Sequence, residues 1–179
     1  MAATNIITAQ RSLSWTIDFL IDMLWGKDTR NIGTNSNEFP TGIISWSYGS
    51  GANQFNKLVC GKVTISAGAN SDLDLAGSLT GADGPAGTVG STITFAGVKW
   101  MHIAVGSPDG SKKVRVGNEG TNPFNGPLSS GGTIDIVHSQ DFVNPSTGGW
   151  TVTAGTGDKL RLNNPGGSSI DVYYMIGGI

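Results

Sequence analysis

Charge is what this chain has least of. Only 13% of its 179 residues are Asp, Glu, Lys or Arg, against the ~25% usual in soluble domains. The 11 basic and 13 acidic residues leave a net charge of −2. No basic stripe runs through them, so the counterion release that drives nucleic-acid binding has little to act on. The one local basic cluster, Lys112, Lys113 and Arg115 with Lys99 nearby in sequence, reads as a solvated strand face. Cysteine is nearly absent. Cys60 stands alone, so no intrachain disulfide can form. Set among Leu58, Val59 and Val63, it reads as a small buried hydrophobe, and a lone thiol suits synthesis in a reducing cytosol. No apolar run approaches the ~18 residues of a membrane span, and Met1 to Ala9 has neither the basic start nor the apolar stretch of a signal peptide. The expectation is a soluble protein that engages neither nucleic acid nor membrane.

Chemistry-bearing residues are equally sparse. The two histidines fall apart, His102 inside an apolar run and His138 at the end of another, and a zinc site needs three or four protein ligands, mostly N or S. Ser47-Tyr48-Gly49-Ser50-Gly51 has its glycines misplaced for a nucleophile elbow. The glycine-rich stretch Gly84 to Thr92 lacks the lysine of a phosphate-binding loop. Asn70, Asp72 and Asp74 alternate, which directs two carboxylates to one side of a strand, but calcium takes 6–8 oxygens, and a solvated strand face is the simpler reading. The expectation is a protein that is not an enzyme and carries no cofactor or metal.

What the chain has in abundance is glycine, 28 residues, and short runs of alternating apolar residues. Leu13 to Trp25 alternates over its whole length; helical spacing also fits, but the Trp, Thr and Ile content favours a strand. Strands are expected at Gly42 to Tyr48, Lys57 to Ser66, Ser71 to Leu75, Ile93 to Val105, Lys113 to Val116, Thr133 to His138, Trp150 to Thr153, Lys159 to Leu162 and Ser169 to Ile176. Ser107-Pro108-Asp109-Gly110 is a turn that would join two of these as a hairpin. Gly155-Thr156-Gly157 would join Trp150–Thr153 to Lys159–Leu162 as a second, and Leu79 to Ser91 reads as a turn-rich loop. Trp15, Trp46 and Trp100 fall at strand positions. The sum is an all-β, antiparallel β-sandwich, jelly-roll-like, of about ten short strands. Its organisation is an extended N-terminal arm over 1–11 and a single β-sandwich domain over 12–179.

Five segments carry a resemblance: Ala52-Asn53-Gln54-Phe55-Asn56-Lys57, Asp72-Leu73-Asp74-Leu75-Ala76-Gly77-Ser78-Leu79-Thr80, Ile93-Thr94-Phe95 with Val98-Lys99, Val116-Gly117-Asn118, and Gly149-Trp150-Thr151-Val152-Thr153-Ala154-Gly155-Thr156-Gly157-Asp158. From Ala52 to the C-terminus the chain resembles a family of small virion proteins of tailed phages and prophages. The resemblance implies a virion component, made in the host cytoplasm, and brings no catalytic residues to transfer. The expected role is a head decoration, or cement, protein whose partners are the major capsid protein and copies of itself, a trimer among the arrangements. The candidate contacts are Ile6 and Ile7 of the arm and the apolar tail with Tyr173, Tyr174, Met175, Ile176 and Ile179, both as strands added to a neighbour. The alternative expectation is a carbohydrate-binding or adhesion module on a tail or baseplate, using exposed aromatics.

Overall fold

The alternation read between Ser169 and Ile176 becomes the strand around which one whole sheet is built. In the computed structural model the described residues are 47–52, 54–83, 88–106, 112–117, 120–137 and 141–179. The chain divides into two units, Met1–Tyr48 and Gly49–Ile179. The first has one described element, β1 (Ser47–Tyr48). The second carries β2 (Gln54–Phe55), β3 (Lys57–Ile65), β4 (Asn70–Asp74), β5 (Leu79–Asp83), β6 (Thr88–Ile93), β7 (Gly97–Val105), β8 (Lys113–Gly117), β9 (Thr133–Val137), β10 (Asp141–Thr151), β11 (Lys159–Asn163) and β12 (Ile170–Gly178). No helix occurs among the described residues. The expected strand Leu13 to Trp25, the arm 1–11 and the proposed domain start at 12 lie outside the described residues, as does His138.

Ten strands form two antiparallel sheets, one in the order β10-β7-β12-β3-β5-β6 and the other β4-β11-β8-β9. The pairs are nested: β3 with β12, β4 with β11, β7 with β10, β8 with β9. Contacts of β12 with β7 and of β11 with β8 knit the pairs into sheets. Successive nested pairs fall in alternate sheets, which is a jelly roll, the antiparallel sandwich expected from the sequence. The hairpin β5–β6 lies outside this scheme and extends the six-stranded sheet beyond β3.

The core follows from strand alternation. On β7 and β12, Met101, Ile103, Val172 and Ile176 are fully buried; Leu160 and Leu162 of β11 and Val114 and Val116 of β8 belong to the same apolar cluster, with Phe95 and Leu75 from the connections. Truncating any of the larger ones costs about 2–5 kcal/mol, because the close-packed surroundings relax only in part.

The structure corrects four local readings. Leu79 to Ser91 is the β5–β6 hairpin rather than a loop. Its glycine content misled because Gly81 serves packing: a Cβ there would run into the Leu58 carbonyl oxygen of β3, the close backbone approach that glycine permits inside a strand. The strands flanking Ser107–Gly110 are not a hairpin; β7 and β8 belong to different sheets. Trp150–Thr153 and Lys159–Leu162 part in the same way: a bridge joins Thr153 to Gly157, and then β10 and β11 go to opposite sheets. Finally, β10 starts at Asp141, a strand not expected because it contains Pro145, Gly148 and Gly149. It tolerates them as the outermost strand among the described residues, where a proline's missing N–H is affordable, and its register with β7 jumps between Pro145 and Trp150.

The crossing from β11 to β12 is fixed by Asn164, which is fully buried. Its Nδ2 donates to the carbonyls of Ile65 (3.0 Å), Ser66 (3.0 Å) and Ser168 (2.8 Å), and its Oδ1 accepts from Gly166 N at 3.0 Å. One side chain thus ties the end of β3 to the turn leading into β12. Asn164→Ala removes four hydrogen bonds at a fully buried position and is expected to cost about 3 kcal/mol, since each such bond contributes roughly 0.5–1.5 kcal/mol net. Urea unfolding measures this; a loss below about 0.5 kcal/mol, the value of an ordinary surface change, would contradict the role.

Candidate functional site

The two sheets turn very different outer faces away from the core. On the four-stranded sheet the residues opposite Leu73, Leu160, Leu162 and Val116 are charged and matched in register. Arg161 of β11 stands beside Asp72 of β4 and binds it through two bonds, Nε to Oδ1 at 2.7 Å and Nη2 to Oδ2 at 2.8 Å. Lys159 stands beside Asp74 and binds Oδ2 at 2.6 Å. Arg115 of β8 faces Asp135 of β9, Nε to Oδ1 at 2.8 Å, and Lys113 Nζ reaches Asp135 Oδ2 at 2.7 Å. Asn163 Nδ2 donates to Asn70 Oδ1. Such directly opposed charge pairs are the sheet's equivalent of helical i,i+4 pairs.

The carboxylates are accordingly held ionised. Hydrogen bonds from Arg115 and then Lys113 bring the Asp135 pKa from 3.8 down to about 2. The Arg161 hydrogen bond lowers Asp72, and the Lys159 hydrogen bond lowers Asp74. Asp72 and Asp74 therefore belong to the polar face, as the spacing suggested. The basic cluster dissolves into separate roles: Lys113 and Arg115 pair with Asp135, Lys112 donates to the Ser169 carbonyl at 3.3 Å, and Lys99 is buried.

The outer face of the six-stranded sheet is polar at one end, where Asp171 of β12 accepts from Thr64 Oγ1 at 2.6 Å and from Lys62 Nζ at 3.2 Å, both of β3, and apolar at the other. Register sets Met175 of β12 between Cys60 of β3 and His102 of β7, and the next positions bring Gly177 between Leu58 and Trp100. Their neighbours in sequence, Val59, Met101 and Ile176, point into the core, so alternation sends this set to the other side. Phe55, Leu58 and Met175 are buried yet stand apart from the core cluster. The Phe55 ring covers Gly177, where a Cβ would sit 3.2 Å from it. Trp100 meets His102 edge-on, ring centroids 6.3 Å apart at 68°. Cys60, read as a buried hydrophobe, is half-buried, and desolvation pushes its thiol up to about 12, which disfavours the reactive thiolate at neutral pH. At the rim, Lys99 is only 2% exposed, and its ammonium donates to the Ser50 carbonyl at 3.0 Å and to that of Gly51.

No protein-family model, no curated protein and no solved structure matches the chain. Its own surfaces carry the argument. Among the described residues no group of three His, Cys, Asp or Glu side chains is placed to hold a metal ion, and no helix is long and apolar enough to cross a membrane.

Of the candidate contacts, Ile6 and Ile7 lie outside the described residues. Tyr173, Tyr174, Met175 and Ile176 form the middle of β12, with Met175 and Ile176 buried. A tail that adds a strand to a neighbour needs a free edge, and β12 has β3 on one side and β7 on the other. Ile179 is held as well: its carbonyl accepts from Ala96 N at 2.6 Å and Gly97 N at 3.2 Å, and its N donates to Gly97 O at 2.9 Å. The tail's apolar character serves the sheet itself. Sequence reasoning missed the face shared by Leu58, Cys60, Trp100, His102 and Met175, because alternation tells which side a residue takes and not which strands lie beside it.

The ion pairs set a pH dependence. A carboxylate whose pKa is lower folded than unfolded stabilises the fold above its unfolded value, and that stability is lost as pH falls through the folded value. Stability should therefore hold at neutral pH, begin to decline near the usual aspartate value of 3.8 and lose the Asp135 contribution by about 2. Thermal melts between these values should show a shallower decline for Asp135→Asn than for wild type; identical slopes would remove Asp135 from the account.

Proposed function

We propose that this chain is a structural protein of a tailed-phage virion, a head decoration protein that binds across neighbouring major-capsid subunits and braces the shell. The observation that carries the reading is the contrast between the outer faces: one sheet turns out matched charge pairs, while on the other the half-buried Trp100 stands beside a buried apolar belt of Leu58, His102 and Met175. Matched charge pairs suit a side that stays wet, and a partly exposed indole suits a side that docks. The sequence resemblance from Ala52 onward supports the same role. Affinity comes from modest contacts multiplied over symmetric copies, and capsid lattices offer threefold points at which a trimer would seat. With β12 committed to its own sheet, the arm 1–11 with Ile6 and Ile7 is the segment left for strand addition.

Trp100 also favours a second reading, a carbohydrate-binding or adhesion module. Jelly rolls build viral capsid and lectin domains alike, and fold alone does not choose between them. Trp100 is half-buried on an outer face, an arrangement suited to stacking on a sugar ring.

Pull-down of the purified protein with empty phage shells separates the two. Decoration predicts co-sedimentation with shells that weakens at least about tenfold, ~1.4 kcal/mol, on deleting residues 1–11, together with silence on a glycan array. Glycan binding abolished by Trp100→Ala, with no shell binding, would establish the second reading and sink the first.

A further inference from the structure

Asn125-Gly126 is the one Asn-Gly dipeptide in the sequence. It lies in the connection between β8 and β9, where Asn125 is exposed and the preceding Phe124 is buried in the core cluster. The backbone on the Phe124 side is fixed: Phe124 N donates to the Lys159 carbonyl at 2.9 Å, and Pro123 bridges to Lys159. Gly126 cannot be exchanged for a larger residue, because a Cβ would run into the Phe124 ring. Packing therefore maintains a glycine directly after an exposed asparagine. The Gly126 N–H makes no hydrogen bond among the described residues, and with no side chain on its own residue the peptide nitrogen is sterically open.

We propose that Asn125 is a site of spontaneous deamidation, so that the protein carries a slow chemical clock in this loop. The Gly126 nitrogen attacks Asn125 Cγ and closes a cyclic imide. The carboxamide nitrogen leaves as ammonia, taking the proton that the peptide nitrogen gives up. Water then opens the imide at either carbonyl, yielding aspartate or isoaspartate; no oxidant or reductant takes part. Residues 121–132 contain no charged side chain, so either product introduces the loop's first charge. The isoaspartate form also lengthens the backbone by one carbon immediately after Phe124, next to the ring that plugs the core and the bond that ties this strap to β11.

The test is peptide mapping by mass spectrometry on the full-length protein, aged in mildly alkaline buffer at physiological temperature, with fragmentation that distinguishes the two acids. The mass gain of an amide-to-acid exchange should accumulate at Asn125, isoaspartate exceeding aspartate. Asn70, also exposed but followed by Ser71, serves as the comparator and should lag at least several-fold. Asn125→Gln should stay unmodified over the same period. Absence of the mass gain at Asn125, or equal rates at Asn125 and Asn70, overturns the proposal.

Discussion

Strand β12 is held along both edges by strands that lie far from it in the chain, β3 on one side and β7 on the other. Backbone N–H and C=O groups in the middle of a sheet must be paired, since leaving them buried and unpaired costs as much as a lost hydrogen bond. Here one partner, β3, comes from the opposite end of the described unit and the other, β7, from its middle. Much of the core depends on this one placement: Val172 and Ile176 of β12 lie against Met101 and Ile103 of β7 and Val59 of β3. Asn164 steers the chain into that position, and the bonds of Ile179 to Ala96 and Gly97 hold the end of it. Pairing of this kind is non-local, so loop-closure entropy has to be overcome before the contacts form.

The nesting of the pairs also explains how much of the fold could be read from the sequence. Nearly every strand in the described unit announces itself by alternation, as in Lys113–Gly117 or Ile170–Gly178, because each has one face toward the core. Pairing is another matter. A turn signal such as Ser107-Pro108-Asp109-Gly110 marks where the chain reverses but does not say whether the strands beside it join or part. In this jelly roll β7 and β8 part, as do β10 and β11, while β8 with β9 and β5 with β6 are the local hairpins. Glycine misled twice in the same way: Gly81 and Gly149 lie inside strands, one because a neighbouring backbone comes close, the other where the register of an outermost strand shifts.

The candidate surfaces divide along the same line. The polar face could be anticipated from Asp72 and Asp74, whose alternation does put both carboxylates on one side. Their partners could not, since Arg161 and Lys159 come from a strand far along the chain. The apolar tail lies between β3 and β7 and has no free edge for strand addition, which composition does not reveal, because a run such as Tyr173 to Ile176 reads the same whether it is a central strand or a docking arm. Only the register distinguishes them. The belt formed by Leu58, Cys60, Trp100, His102 and Met175 exists solely because three distant strands lie side by side.

Amide hydrogen exchange, followed residue by residue on the native protein, tests the central position of β12 most directly, because amides in the middle of a sheet open only with the whole fold. The account predicts that Tyr174 and Ile176 exchange among the slowest amides, together with Met101 and Ile103 of β7, while the 121–126 strap exchanges quickly. If β12 exchanged as fast as that strap while β7 stayed protected, the last strand would be a peripheral tail and the jelly roll described here would not be the fold of this chain.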